Sequence, residues 1–98
     1  MTIPVILRPG AEGDVECIFS EFESIRTGLG NKFSTQLRKT LGRLEEFPRL
    51  YPVVRQQVRA VRLSGFRHVV YYHVFADRVE VIAVMHGSRE RSAWQSRV

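Results

Sequence analysis

The chain has 98 residues, 44% hydrophobic and 26% charged, with a formal net charge of +5; a chain this long buries roughly 60–65% of its unfolded surface and reads as one domain, 1–98. No apolar run approaches the roughly 18–20 residues a membrane helix needs, and MTIPVILRPG at the start lacks the basic stretch, apolar core and small-residue cleavage site of a secretory signal. A cytosolic protein without membrane contact is expected, and the single cysteine, Cys17, excludes an internal disulfide.

The charge is unevenly placed. Residues 1–48 carry six Lys/Arg against seven Asp/Glu, whereas residues 49–98 carry nine Arg against Asp77, Glu80 and Glu90. Arginine is preferred where a planar fork meets phosphate or carboxylate, so the basic half points to an anionic partner, nucleic acid or an acidic protein segment. A solvated face that keeps the domain soluble is the plainer alternative.

In chain order, Thr2–Arg8 is β-prone, and Pro4, which donates no ladder hydrogen bond, places it at a sheet edge. Pro9-Gly10 breaks it. From Ala11 to about Thr27 the period becomes helical, with Val15, Ile18, Phe22 and Ile25 on one stripe and Cys17 in the same region as a small buried hydrophobe. Gly28-Leu29-Gly30 ends that helix, and Asn31 is the expected cap of a second. Phe33, Leu37, Leu41, Leu44 and Phe47 form its stripe until Pro48. The two helices read as an antiparallel hairpin.

Arg49–Gln57 reads as a linker. Three apolar, β-branched and aromatic segments follow, Val58–Leu63, Phe66–Phe75 and Val79–His86, joined by Ser64-Gly65 and by Ala76-Asp77-Arg78. The expected fold is therefore α+β: an N-terminal strand, a two-helix hairpin and a three-stranded antiparallel meander. In Phe66–Phe75 both alternating sets are partly apolar. Phe66, Val70, Tyr72 and Val74 suit the helices, while Val69, Tyr71 and Phe75 stay near solvent unless a partner protein covers them.

Little classical chemistry is on offer. His68, His73 and His86 with one cysteine match no zinc spacing, and His68 and His73 point to opposite faces of one strand. There is no Gly-rich phosphate loop and no dinucleotide fingerprint, so neither metal nor cofactor is expected. Ser64 and Ser88 lie in turns that favour serine for local hydrogen bonding. Arginine with imidazole remains, the set that serves metal-free general acid–base cleavage of RNA. Arg67 starts one strand and Arg89 follows the next, so an antiparallel pairing brings Arg67 beside the His86–Arg89 segment. His86 then reads either as a base or as a hydrogen-bonded residue closing the strand end.

At these residues the pattern resembles the RelE/ParE superfamily of type II toxin–antitoxin toxins. SGFRHVVYYHV lies in the middle, and VIAVMHGSRERSAW runs from the last strand into His86-Gly87-x-Arg89, with Trp94 five residues later. The resemblance spans nearly the whole chain. It implies a toxin neutralised by a cognate antitoxin whose extended or helical segment wraps the hairpin and sheet, with Phe22, Phe33, Leu37, Tyr71 and Phe75 as contact candidates. RelE-like members cleave mRNA in the ribosome without a metal; ParE-like members inhibit DNA gyrase and have no accepted catalytic residues.

The arginines of the RelE-like site match Arg67 and Arg89. Its paired lysines fall at Val58 and Ala60, with Arg59 between them, and its tyrosine falls near Gln95. Loss of those donors costs several kcal/mol of transition-state stabilisation. The ParE branch shows HGxR, then an acid and a nearby Trp, as do His86, Gly87, Arg89, Glu90 and Trp94. The resemblance therefore implies a ParE-like gyrase inhibitor without catalytic residues, contacting its target through Arg67, His86, Arg89, Arg91 and Trp94. The alternative is an mRNA endonuclease using Arg67, His86 and Arg89. Nucleic acid would be met as gyrase-bound DNA in the first case and as ribosome-bound mRNA in the second.

Overall fold

The computed structural model describes residues 2–89 and 92–98. Strand β1 (Val5–Leu7) leads into helix α1 (Pro9–Ile25) and helix α2 (Leu29–Glu46). Strands β2 (Val53–Arg55), β3 (Val58–Arg62), β4 (His68–Val74) and β5 (Val79–His86) follow, then the short helix α3 (Ser92–Gln95). The α+β architecture expected from the sequence forms. Pro9 does more than break β1: it opens α1, where its fixed φ suits the first turn and its missing N–H is not needed.

The hairpin turn is set by a side chain that periodicity does not reveal. Gly28 adopts φ 92° as the residue preceding α2, and the Glu23 carboxylate accepts hydrogen bonds from the backbone N–H of Gly28 (3.0 Å) and Gly30 (2.9 Å). Asn31 is therefore not the cap; it lies inside α2. A Cβ on Gly30 would sit 2.8 Å from Glu23 Cγ and 2.9 Å from Phe19 Cδ2, so glycine lets the helices approach. The hairpin buries Ile18, Phe33, Leu37 and Leu44 against Val70, Tyr72, Val79, Val81 and Val84 of the sheet. Each such side chain contributes about 1.5–3 kcal/mol when fully buried. Ile25 and Phe47, counted in the apolar stripes, are exposed at the helix ends. Cys17 is exposed as well, because it lies off the stripe of Val15, Ile18 and Phe22.

The described strands form a five-stranded sheet of order β1-β5-β4-β3-β2. The expected antiparallel meander is its centre, β3-β4-β5, but the sheet as a whole is mixed. β1 pairs parallel to β5, with Val5 opposite Val79, and takes the edge position that Pro4 implies. Pro4 contributes only its carbonyl, which accepts from Val79 N–H at 2.9 Å. β2 arises inside the segment read as a linker. It pairs with β3 across Gln56 and Gln57, both left-handed at φ 51° and 67°.

Two features close the sheet. β1 reaches along β5 only to the Arg8 N–H bond to the Val81 carbonyl, 3.0 Å. Past it, Val84 N–H donates to Asp14 Oδ2 at 3.0 Å, and Arg97 donates to the Ile82 carbonyl at 3.3 Å and to both Asp14 oxygens at 2.6 and 3.0 Å. An ion pair thus stands in for the missing strand. On the face away from the hairpin, Val58, Ile82, Ala83 and Met85 pack with Trp94 of α3. Trp94 stacks on Tyr71 with ring centroids 4.9 Å apart and planes 15° apart. The second apolar face, for which the sequence calls for a partner, is covered at Tyr71 by the chain's own C-terminal segment, while Val69 and Phe75 lie outside that contact. Among the described residues no helix is long and apolar enough to cross a membrane.

Candidate functional site

The site is built where β4 begins and β5 ends. His68 lies opposite His86 in the antiparallel register, and Gly87 N–H donates to the Arg67 carbonyl at 2.8 Å. A Cβ at Gly87 would lie 3.1 Å from that oxygen, so glycine allows the close approach. Arg89 N–H then returns to the His86 carbonyl at 3.0 Å. Ser88 is bound to the ring: its N–H donates to His86 Nδ1 at 3.1 Å, and its hydroxyl lies 2.7 Å from the same nitrogen. An Nδ1 that accepts a backbone N–H fixes the neutral ring as the Nε2–H tautomer. His86 therefore presents a donor outward and keeps its lone pair on Ser88.

His68 belongs to this end of the sheet and was not among the site residues expected from the sequence. Its ring packs edge-on against Phe22 (5.5 Å), Phe33 (5.7 Å) and His86 (5.5 Å). Its Nδ1 is buried without a hydrogen-bond partner. Burial, reinforced by neighbouring His86 and partly opposed by Glu21, lowers its pKa below 6.5, so the ring is held neutral. The signal for it was its parity with Val70 and Tyr72, which places an imidazole on the helix-facing side.

The arginines sort into two groups. Arg8 and Arg78 pair with Glu80 at 2.8 and 2.6 Å, and Arg97 pairs with Asp14. Arg59 bonds the carbonyls of Arg49 and Tyr51, and Arg62 that of Phe66. Among the described residues Arg55, Arg67 and Arg89 have no acidic partner, nor do Arg26 after α1, Arg38 and Arg43 on α2, and Arg49 before β2. An open groove of about 450 Å³ runs between Arg62, Arg67, His86 and Ser88. A second, about 470 Å³, lies over the outer sheet face between Arg55, Ala60, Tyr71, Arg89 and Trp94. The two grooves share Val69 and Gly87.

Of the residues expected to contact a target, Arg67, His86 and Arg89 come together at this tip. Arg91 lies outside the described residues, as does Glu90. Trp94 is only 3% exposed; its indole packs the sheet and offers little surface. The expected antitoxin contacts do not form one surface. Phe33 and Leu37 are in the core because their helix face turns to the sheet. Phe22 is half-buried among the aromatic rings, and Tyr71 lies under Trp94. Phe75 is at the far end of β4, beneath the Arg78 guanidinium at 4.3 Å. Val58, one of the two positions matched to lysines, is fully buried on the Trp94 side. Among the described residues no group of three His, Cys, Asp or Glu side chains is arranged to hold a metal ion.

Comparison with known proteins gives the same picture. No curated protein matches the chain. Among solved structures it is similar to a chain of a chromosomal ParDE toxin–antitoxin system from P. aeruginosa: 11% identity, TM-score 0.77, 87% of this chain and 96% of that one covered. It is also similar to a mutant of the E. coli toxin RelE in the free state, with 20% identity, TM-score 0.64 and coverage of 99% and 94%. At these identities both show a shared fold. The family model described as the ParE toxin of type II toxin–antitoxin system, parDE, matches residues 5–91. The chain therefore belongs to the ParE toxin family of type II toxin–antitoxin systems.

Proposed function

We propose that this chain is a cytosolic toxin that inhibits DNA gyrase and is neutralised by a cognate antitoxin. Membership of the ParE family carries the reading. The chemistry of the tip supports it over RNA cleavage. A ribonuclease needs a free base and several cations around the scissile phosphate. Here the Nδ1 of His86 is occupied by Ser88, and the outer sheet face carries Val58 and Ala60 beside Tyr71 and Trp94. Arg67, His86 and Arg89 then act as contacts to the target or to antitoxin acids.

One observation favours the second reading, a metal-free mRNA endonuclease: Arg67 and His86 line a single groove. The two are separated by adding the purified chain to a gyrase supercoiling assay and to a cell-free translation assay. The gyrase reading expects loss of supercoiling with intact transcripts. Cleaved transcripts with unimpaired supercoiling would refute it.

A further inference from the structure

A third depression opens beside the arginine grooves, between the end of the helical hairpin and the β3–β4 loop. It measures about 370 Å³ and is lined by Phe22, Leu29, Phe66, Arg67, His68 and His86. It shares Arg67 and His86 with the first groove, which in turn shares Val69 and Gly87 with the second. Among the described residues none that lines these three is acidic. The acids nearby, Asp14 and Glu21, line a narrow groove of about 130 Å³ that meets the others at His68, His86 and Arg89, and Asp14 is held by Arg97.

We infer that the aromatic pocket receives an unstacked base of single-stranded nucleic acid, while the flanking phosphates lie on Arg67, Arg62, Arg89 and Arg55. Flat rings beside a track of cations are how single strands are held without sequence preference: the rings stack bases and the guanidiniums follow the backbone. Phe66 and Phe22 supply the rings. His68, about nine-tenths buried, packs edge-on behind Phe22 and closes the pocket. From β2 to β5 is three strand spacings, roughly 14 Å, enough for a few nucleotides. The inference rests on the toxin reading only for the idea that a target meets this end of the sheet.

The test is a fluorescence anisotropy titration of the full chain with a labelled mixed-sequence DNA strand of roughly 12 nucleotides. The strand is expected to bind with a slope of log affinity against log salt of about −2 to −3, since each of three or four phosphates contributes about −0.7. A duplex of equal length should bind at least about tenfold more weakly, because its bases stay stacked. Arg67→Gln, at an exposed position, should reduce the slope by about 0.7. Phe66→Leu should weaken binding about tenfold with the slope unchanged. Thermal melting checks that Phe66→Leu folds; if it does not, Arg67→Gln and the strand-against-duplex comparison decide. No binding at low salt, equal binding of duplex, or tighter binding of a Glu-rich peptide carrying one Trp would overturn the inference. Gyrase inhibition without strand binding would sink the pocket alone. Strand binding with unaffected gyrase would sink the gyrase reading alone.

Discussion

The ion pair that closes β5 gives a sharp test of how the fold is held. In Asp14→Ala the Val84 N–H loses its acceptor, which at 3.0 Å is the Asp14 carboxylate. An orphaned amide costs about 1–3 kcal/mol. The Arg97 guanidinium loses both its bonds to Asp14. With side-chain exposures of 32% and 15%, the pair is partly screened and is worth no more than about 1 kcal/mol. The total is about 1–4 kcal/mol, which in a domain of this length lowers Tm by roughly 5–30 °C. Arg97→Ala should cost about 1 kcal/mol, since Asp14 still holds Val84 and the Ile82 carbonyl can turn to water. Urea denaturation of both variants and of the double variant measures the asymmetry and the coupling. Equal costs for the two single changes would mean that the Val84 bond adds nothing and that the carboxylate is not acting as a substitute strand.

Trp94→Ala should destabilise the domain by about 3–5 kcal/mol, the usual loss for a buried Trp, because the indole fills the face beside Val58, Ile82 and Met85. A loss under about 1 kcal/mol would show that α3 does not dock. As Trp94 is the only tryptophan, its fluorescence reports that docking directly. The lowered pKa of His68 makes stability depend on pH. Above about 6.5, its ordinary value, the ring is neutral in both folded and unfolded chains and stability is full. As pH falls from 6.5 towards the depressed folded value, the unfolded chain takes up a proton that the folded state resists, and stability declines. His68→Leu should remove that part of the decline. Identical pH profiles for the two proteins would show that the ring is not held neutral by burial.

Much of the fold was legible because its signals are periodic. The apolar spacing from Val15 to Phe22 and from Phe33 to Leu44 gave the hairpin, and β-branched runs gave β3 to β5. β2 was not legible. All three of its residues are exposed, so it has no inward alternation. Its turn is Gln56-Gln57 rather than the Asn-Gly or Gly-containing pairs that left-handed turns favour. Asn31 misled because a good capping residue sits near a helix start that a distant carboxylate, Glu23, already satisfies. At the site, antiparallel pairing alone predicted that Arg67 would meet His86. The burial of Trp94 and the exposure of Cys17 depend on how elements dock, which local spacing does not encode. His68 was misjudged for the same reason: its importance comes from Phe22 and Phe33, which belong to other elements.

The parallel pairing of β1 with β5 has a consequence for how the chain is made. Val5 leaves the ribosome early, yet its partner Val79 is separated from it by most of the chain. The helical hairpin, built on nearby contacts, can form while synthesis continues, whereas such a distant pairing closes late. The Arg67–His86 tip needs β5 as well, so a growing chain cannot present it. The interval between synthesis of α2 and of β5 is therefore one in which the hairpin can exist before the tip does.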